Sequence, residues 1–296
     1  MKITVGLPAF NEEANIASII VKLKKITETI IVCNDGSTDL TSEIAKKMGA
    51  IVIDHPKNLG YGGAINSIFK KAKEINSDLL VTFDADGQHK IDDIFKVIEP
   101  IKKGEADLVI GSRFLDITKE EVPEIRKIGI KIITKVTNSS LKEKITDAQS
   151  GFRAYNKDII SKLNISDMGM GISTEILIKI QKAGFRISEI PIIISYEGDT
   201  STHNPVSHGT SVVFSTLKYV AIERPLTFYG IPGVIFLIIG LSFGIWTTQI
   251  FSVQGKIITN IALIGISGVI FGTILIITAT ILHSIVSVVR ENRRKN

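Results

Sequence analysis

The chain has 296 residues, of which 35 are basic and 30 acidic, giving a net charge of +5. The positive excess comes mostly from the C-terminal segment 290–296, so the charge favours an anionic membrane surface over nucleic acid as a partner. Cys33 is the only cysteine, which excludes an intrachain disulfide and is typical of a reducing compartment.

Apolar runs and helical patterns alternate through the first 113 residues. Runs rich in β-branched residues predict strands at residues 3–7, 29–33, 51–54, 78–83 and 106–111. This order predicts an α/β fold with a doubly wound, mainly parallel sheet. Because right-handed crossovers bring the carboxyl ends of parallel strands to one edge, we expect the loops after Leu7, Cys33 and Phe83 to meet there.

The fourth of these strands ends in two carboxylates, Asp84 and Asp86, followed by Gln88 and His89. An Asp-x-Asp pair after a buried strand suits a hard divalent cation that also binds phosphate oxygens of a substrate. An acidic turn that merely closes the strand explains the pair equally well when it is taken alone. Asp35 follows the second strand and is suited to accept hydrogen bonds from a base or ribose.

Residues 123–141 predict a basic amphipathic helix, with apolar positions that include Ile132 and Ile133 and nearby cations that include Arg126. The pattern alone fits an ordinary surface helix as well as an interfacial one. Further helices are predicted at 157–163 and 173–182. A strand at 187–196 is interrupted by Pro191, so we expect it near a sheet edge.

Two long uncharged segments near the C-terminus are each long enough to cross a bilayer. Basic residues flank their outer ends, and Lys256 is the only charge in the connecting loop, so the positive-inside rule predicts an integral membrane protein with both termini cytosolic. The predicted organisation is an α/β domain, a juxtamembrane interface helix, two transmembrane helices and a basic tail, at residues 1–208, 209–227, 228–289 (helices at about 228–251 and 260–286) and 290–296.

Six short motifs occur in a characteristic order: Pro8–Glu13, Asn34–Asp39, Asn58–Ala64, Asp84–His89, Gly111–Arg113 and Asp147–Arg153. With them, the first 200 residues or so resemble family 2 glycosyltransferases of the GT-A fold. The resemblance extends to the dolichol-phosphate mannose synthase group, which includes members with C-terminal membrane helices. It implies a Rossmann-like sheet and an enzyme that uses a nucleotide sugar.

The resemblance implies two donor-binding sets. One contacts the nucleotide base and ribose through Pro8, Phe10 (in place of the usual tyrosine), Glu12, Cys33 and Asp35. The other contacts the diphosphate and a metal ion, Mg²⁺ or Mn²⁺, through Asp84, Ala85, Asp86 and Gln88, with Asp84, Asp86 and Gln88 as the metal ligands. One departure from the family pattern is Asn34, where an aspartate is common.

The acceptor side is implied less completely. Arg113 and Arg126 match arginines near the diphosphate or the acceptor phosphate, Arg153 is a further candidate, and Glu175 lies in the region where related enzymes keep an acidic base. The loop after Tyr196 lacks the arginine that the family often carries there. His203 and His208 are candidate substitutes.

The activity implied is inverting transfer of a sugar from GDP-mannose, or from a UDP-sugar such as UDP-glucose or UDP-N-acetylglucosamine, to dolichyl or another polyprenyl phosphate. Asp86, Arg113 and Glu175 are the expected catalytic residues, and the amphipathic helix is expected at the lipid surface. A processive polysaccharide synthase would need a Gln-x-x-Arg-Trp motif, but the only tryptophan, Trp246, lies in a predicted span. A non-enzymatic membrane scaffold is the other alternative. The sequence leaves the oligomeric state open.

Overall fold

The computed structural model describes residues 1–115, 124–165, 171–193, 221 and 225–295, of which 124–126, 128 and 287–295 are described by backbone alone. The chain forms two compact units, Met1–Thr216 and Leu217–Asn296. The predicted boundaries at residues 208 and 227 stay predictions. His203, His208 and most of the predicted interface helix lie outside the described residues.

The first unit alternates strands and helices in chain order, as the apolar pattern predicts. Its strands are β1 (Ile3–Ala9), β2 (Thr29–Asn34), β3 (Ile51–Asp54), β4 (Leu79–Thr82), β5 (Leu108–Ser112), β6 (Arg153–Asn156) and β7 (Ile187–Pro191). Its helices are α1 (Glu13–Leu23), α2 (Thr41–Lys47), α3 (Tyr61–Glu74), α4 (Asp93–Lys102), α5 (Glu124–Asn138), α6 (Lys157–Lys162) and α7 (Ile172–Lys182).

The strands form one seven-stranded sheet in the order β3-β2-β1-β4-β6-β5-β7. All neighbouring pairs are parallel except those of β6, which runs antiparallel to both β4 and β5. The mainly parallel α/β sheet is therefore confirmed, and β7 lies at an edge, as expected. The strand ends at Pro191, however, whereas the prediction extended it to residue 196. The strand β6 was not predicted, because Arg-Ala-Tyr-Asn is too short and polar to show a strand pattern.

The parallel strands bring their carboxyl ends to one edge of the sheet. β1, β2, β4 and β5 all run in the same direction, because the antiparallel β6 separates β4 from β5 and reverses the direction twice. The loops that follow Ala9, Asn34, Thr82 and Ser112 therefore begin at this edge. The expectation that the motif-bearing loops meet at one edge is confirmed.

Helix α5 departs from the predicted stripe of apolar residues. Ile130 and Ile133 are buried in the first unit, whereas Ile132 is 53% exposed. The buried face also includes Thr134 and Thr137, whose hydroxyls hydrogen-bond within the unit. Polar residues with satisfied hydroxyls thus share the inner face, which apolar periodicity alone does not reveal.

The second unit contains a short π-helix (Leu226–Gly230), α8 (Ile231–Gln254) and α9 (Thr259–Lys295). Two segments, Leu226–Gln254 and Thr259–Val286, are long and apolar enough to cross a membrane. They fall close to the two predicted spans. The predicted tail 290–296 is not separate in its backbone, because α9 continues through Lys295.

Glycines allow α8 and α9 to approach each other closely. A Cβ atom on Gly240 would lie 2.4 Å from the backbone nitrogen of Val269, and one on Gly233 would lie 3.0 Å from the carbonyl oxygen of Gly272. A Cβ on Gly244 would meet no atom within 4 Å. The hairpin is therefore packed through the glycines at 233 and 240, with backbone against backbone.

We expect Gly240→Ala to destabilise the hairpin by about 1–3 kcal/mol, because the added methyl group overlaps the backbone of α9. Gly244→Ala is the matched control, since its methyl group meets open space. Unfolding in mixed detergent micelles can be followed by the fluorescence of Trp246, the single tryptophan, which lies in α8. Equal stability of the two variants would contradict this packing.

Candidate active site

Hydrogen bonds join the loops that follow β1 and β2. The Asn11 backbone N–H donates to Ser37 Oγ at 2.9 Å, and Asn11 Oδ1 accepts from the Thr38 N–H at 2.9 Å. The Glu12 N–H donates to Thr41 Oγ1 at 2.8 Å. Asn11 has a φ of 55°, a left-handed conformation that asparagine tolerates better than most residues. Pro8, Phe10 and the other residues of the first motif are thus held beside the second.

Negative charge accumulates at this edge. Burial raises the pKa of Glu12 to about 7, together with the charges of Asp86, Asp39 and Asp84 and against the lowering effect of a hydrogen bond from Asn15. Carboxylates from three separate motifs therefore lie within electrostatic range of one another. A cation bound among them would relieve this repulsion.

The Asp-x-Asp motif forms a turn in which both aspartate side chains contact residues that follow them in the chain. Asp86 Oδ1 accepts from the Gln88 N–H at 3.0 Å, and His89 Nε2 lies 3.5 Å from Asp84 Oδ2. The buried His89 ring packs against Phe83 and Phe152, with ring centroids 5.4 and 5.2 Å away. His89 is therefore a packed neighbour of Asp84 rather than a solvated loop histidine, and Ala85 is buried.

A glycine from the 147–153 motif faces the Asp84 carboxylate. A Cβ atom on Gly151 would lie 2.8 Å from both carboxylate oxygens of Asp84 and 2.6 Å from the Tyr61 hydroxyl oxygen. Any larger residue would displace one of these groups. Sequence reasoning did not connect Gly151 with Asp84, because the contact depends on the antiparallel placement of β6.

The donor set fits a divalent metal ion that is shared with a substrate. In the part of the chain that the structure describes, no cluster of three or more histidine, cysteine, aspartate or glutamate side chains could hold a metal. In the predicted ligand set, Asp84 and Asp86 would supply two carboxylates, and Gln88 an amide oxygen. Mg²⁺ is commonly held by one or two carboxylates, with water and substrate phosphates completing the coordination. These residues therefore suit such an ion rather than a closed structural site.

Asp35 is buried and already bonded to the protein. Its Oδ1 lies 2.6 Å from His55 Nδ1 and accepts from the Leu59 N–H at 2.9 Å, and its Oδ2 accepts from the Gly60 N–H at 2.8 Å. Asp35 thus holds the loop that leads into α3. The contact with base or ribose stays a prediction, and His55 is a site residue that sequence reasoning missed.

The pairing of β2 with β3 explains why His55 lies there. Asn34 is opposite Asp54, so the next residues, Asp35 and His55, leave the sheet side by side. Cys33 has no exposed surface, and its Sγ lies 3.5 Å from His55 Nε2. Burial, with the charge of Asp35, raises the pKa of the Cys33 thiol to about 12, which keeps it neutral.

Asn34, which departs from the family pattern, has a specific partner. Its amide nitrogen donates to Asp54 Oδ1 at 2.9 Å, and its Oδ1 accepts from the Ser37 N–H at 3.1 Å. Hydrogen bonds from Lys46, Ser42 and Asn34 lower the pKa of Asp54 to about 2. An aspartate at position 34 would place a second carboxylate against Asp54, so asparagine is the residue that fits this neighbour.

Arg113 lies at the same edge of the sheet, after β5, and forms a buried ion pair. Its Nε and Nη2 donate to the two carboxylate oxygens of Asp147 at 2.6 and 2.8 Å. Burial alone would raise the pKa of Asp147, but the charge and hydrogen bonds of Arg113 hold it below its usual value. The bidentate contact fixes the plane of the guanidinium group.

The remaining candidates lie in different surroundings. Arg153 is buried, and its guanidinium donates to the carbonyl oxygens of Ser150, Ser173 and Ala148. These contacts favour a structural role for Arg153 over a phosphate contact. Glu175 is buried in α7 and paired with Lys179. The side chain of Arg126 and the whole of His203 lie outside the described residues, so their predicted contacts stay predictions.

Residues 4–163 match the model of the family described as glycosyl transferase family 2, which is more than half of the chain. The chain belongs to glycosyltransferase family 2. It is 34% identical over 228 residues to a UDP-N-acetylglucosamine–dolichyl-phosphate N-acetylglucosaminyltransferase of Methanococcus voltae, covering 70% of this chain and 89% of that protein. It is 33% identical over 191 residues to a dolichol-phosphate mannosyltransferase of Pyrococcus furiosus, covering 60% and 53%.

Solved structures support the fold of this glycosyltransferase. Glucosyl-3-phosphoglycerate synthase from Mycobacterium tuberculosis, crystallised with Mn²⁺ and UDP-glucose, aligns with a TM-score of 0.57 at 22% identity, covering 73% of this chain and 78% of that one. The prediction of a GT-A fold is confirmed. The prediction of a glycosyltransferase related to the dolichyl-phosphate enzymes is also confirmed. Membership of this family favours an enzyme over the alternative of a non-enzymatic membrane scaffold.

Gly151→Ala should lower the rate of sugar transfer by roughly ten- to a hundredfold, because its methyl group displaces the Asp84 carboxylate. Gly129→Ala in α5 is the matched control, since its Cβ would meet no atom within 4 Å. Transfer rates of the two variants and the wild type are compared in the same membranes. Wild-type transfer by Gly151→Ala would show that Asp84 does not need this close approach.

Glu12→Gln should stabilise the protein at high pH only. Because burial raises the pKa of Glu12 from 4.5 to about 7, ionisation of Glu12 costs the folded state free energy that is absent below pH 4.5 and fully present above pH 7. We expect a higher unfolding temperature than wild type at pH 8, roughly one unit above that pKa, and an unchanged one near pH 4.

The unfolding temperature is measured by circular dichroism on the full chain in detergent. The exposed Glu28 provides the control substitution Glu28→Gln, which removes the same charge elsewhere. A difference between Glu12→Gln and wild type that does not change with pH would contradict the raised pKa.

Proposed function

We propose that the protein transfers a sugar from a nucleoside diphosphate sugar to a polyprenyl phosphate at the cytosolic membrane face, with Mg²⁺ or Mn²⁺. The observation that carries this proposal is the pair Asp84 and Asp86 at the carboxyl end of β4, close enough to Glu12 to raise its pKa. Two hard carboxylates beside the nucleotide motifs suit a diphosphate and its metal ion. Asp84, Asp86 and Gln88 would hold that ion.

Two relatives point to different sugars. The N-acetylglucosaminyltransferase relative aligns over 89% of its length, and the mannosyltransferase relative over 53%. The greater coverage supports UDP-N-acetylglucosamine as the first donor to test, with GDP-mannose and UDP-glucose beside it. Both relatives are named for dolichyl or dolichol phosphate, which supports a polyprenyl phosphate as the acceptor.

The proposed chemistry is a single inverting displacement. An acceptor phosphate oxygen forms a bond to the anomeric carbon as the bond from that carbon to the diphosphate oxygen breaks. A bound divalent ion would neutralise charge on the departing nucleoside diphosphate. The second pKa of a phosphate monoester is near 6, so the acceptor is already largely a dianion at neutral pH. The protein must therefore align the two phosphates rather than remove a proton.

The described side chains agree with this division of work. The mechanism does not require a general base, because the acceptor is already ionised. Glu175 is fully buried and paired with Lys179, and these surroundings do not favour its action as a base. Arg113 is oriented by Asp147 at the edge where Asp84 and Asp86 lie. Its charge is suited to stabilise phosphate oxygens in the transition state.

The membrane placement rests on the two apolar segments of the second unit and on the flanking charges. Large apolar side chains of α8 and α9 are exposed, as expected for surfaces that contact lipid tails. Basic residues at the outer ends of the hairpin favour a cytosolic location for both termini. A cytosolic location would give the transferase unit access to the cytosolic nucleotide sugars.

The direct test uses membranes that contain the full chain, Mg²⁺ or Mn²⁺, dolichyl phosphate and labelled UDP-N-acetylglucosamine, UDP-glucose or GDP-mannose. Label in an acid-labile lipid is the expected outcome. Label in a polymer would indicate a polysaccharide synthase instead. No transfer from any of the donors would refute the proposal.

Asp86→Asn should reduce transfer by at least about a hundredfold, because the metal ion loses a negatively charged ligand. The amide oxygen of asparagine can still accept the hydrogen bond from the Gln88 N–H, so the turn is retained. Asp92→Asn is the matched control, since Asp92 is an exposed carboxylate in the same connection between β4 and α4. Membrane insertion of both variants is checked by carbonate extraction. Transfer by Asp86→Asn at the rate of Asp92→Asn would overturn the metal assignment.

A further inference from the structure

A surface cavity of about 400 Å³ lies beside α5 and the segment that follows it. Three lysines line it, Lys131, Lys135 and Lys144, together with the polar side chains of Thr134, Asn138 and Thr146. None of the described residues that line it is acidic. We call this cavity the lysine pocket.

The walls of the lysine pocket are fixed by hydrogen bonds. The Asn138 amide nitrogen donates to the carbonyl oxygen of Ile145 at 2.8 Å, and its oxygen accepts from the Ile145 N–H at 3.0 Å. Thr134 Oγ1 accepts from the Ala148 N–H at 3.2 Å. The segment that carries Lys144 is therefore tied to the helix that carries the other two lysines, and the concave shape is built into the fold.

The charge of the pocket is not neutralised by its neighbours. Among the described residues, none of the three lysines forms an ion pair, and the Lys131 ammonium lies 5.9 Å from the centre of the Phe114 ring. Glu189 lies at the pocket wall, but its carboxylate accepts hydrogen bonds from the Thr146 N–H at 2.8 Å and the Thr146 hydroxyl at 3.1 Å. Three converging cations on a fixed surface suit an anion, and lysine commonly binds phosphate as a point charge.

The pocket adjoins the edge of the sheet that holds the active site. Thr146 Oγ1 is 2.6 Å from Ser112 Oγ, and Ser112 is the last residue of β5. In the sheet, β5 and β4 are separated only by β6, so their ends lie roughly 10 Å apart. Thr146 therefore connects the wall of the pocket to the edge of the sheet at which the loop with Asp84 and Asp86 begins.

An apolar side chain beside the lysines favours a lipid over a free anion. Ile132 is 53% exposed and lies three residues before Lys135, so the two residues are neighbours on the exposed surface of α5. An exposed isoleucine among cations suits an amphiphile, whose phosphate meets the lysines and whose chain meets the apolar side chain. An inorganic anion would gain nothing from Ile132.

We propose that the lysine pocket binds the phosphate group of a lipid. The shared chemistry is a phosphate ester, either the monoester of the polyprenyl phosphate acceptor or the diester of an anionic phospholipid. The first source rests on the proposed function, and the second does not. Both would account for a basic pocket in a chain whose 197–208 loop contains no arginine.

The test measures how strongly each ligand protects lysines from an acylating reagent, read by mass spectrometry on the full chain in neutral detergent. The probes are a short polyprenyl phosphate, phosphatidylglycerol, the corresponding polyprenol and inorganic phosphate. We expect protection of Lys131, Lys135 and Lys144 by one or both lipid phosphates. Lys22, Lys25 and Lys70, which are exposed on or near other helices, should react unchanged.

A triple variant with Lys131, Lys135 and Lys144 replaced by glutamine should bind the protecting lipid about tenfold more weakly, since each exposed charge pair contributes a factor of roughly two. The same replacements at Lys22, Lys25 and Lys70 form the matched control. Protection by the polyprenyl phosphate alone assigns the acceptor phosphate, and protection by phosphatidylglycerol alone assigns membrane docking.

Other outcomes overturn the proposal. Equal protection by polyprenol or by inorganic phosphate would show that the pocket does not recognise a lipid phosphate, and no protection by any probe would remove the site. The transfer assay is independent of this readout. Sugar transfer with unprotected lysines would leave the proposed function intact and refute the pocket, whereas protection without transfer would do the reverse.

Discussion

Repulsion among carboxylates at one sheet edge is the constraint around which the first unit is arranged. Parallel strands bring Glu12, Asp35, Asp84 and Asp86 to the same edge, and the fold treats them differently. Asp35 is surrounded by hydrogen-bond donors, whereas burial keeps Glu12 largely uncharged below neutral pH. Asp84 keeps about a third of its side chain exposed. Asp84 and Asp86 are thus only partly buried at the edge where we propose that a metal–diphosphate complex binds.

The antiparallel strand β6 makes this arrangement possible. Thr82 pairs with Arg153, so the amino end of β6 lies beside the carboxyl end of β4. The segment that precedes β6 therefore lies at the edge of the sheet that holds the candidate active site. There Gly151 approaches Asp84, and Asp147 binds Arg113. A parallel strand in the same position would have placed this segment at the opposite edge. One reversed strand thus supplies the site with a backbone surface and an oriented arginine.

The sequence predicted what depends on local pattern and missed what depends on pairing. Strands such as Ile51–Asp54 are apolar and bounded by polar turns, so their positions and the parallel order followed from periodicity. The strand β6 contains arginine and asparagine, and only its neighbours make it a strand. His55 and Gly151 escaped notice for the same reason, since their partners are distant in the chain. The buried Arg153 shows that a motif arginine can support a loop instead of a ligand.

The contact between Asn34 and Asp54 has an evolutionary consequence. An asparagine at the first of these positions and an aspartate at the second form one compatible pair, because the amide donates where a carboxylate would repel. The two positions should therefore change together: relatives with aspartate at the first should carry a neutral or basic residue at the second. An alignment in which acidic residues occupy both positions would contradict this coupling. Variation within the family at position 34 would then reflect the side chain at position 54, the end of the neighbouring strand, rather than the nucleotide that is bound.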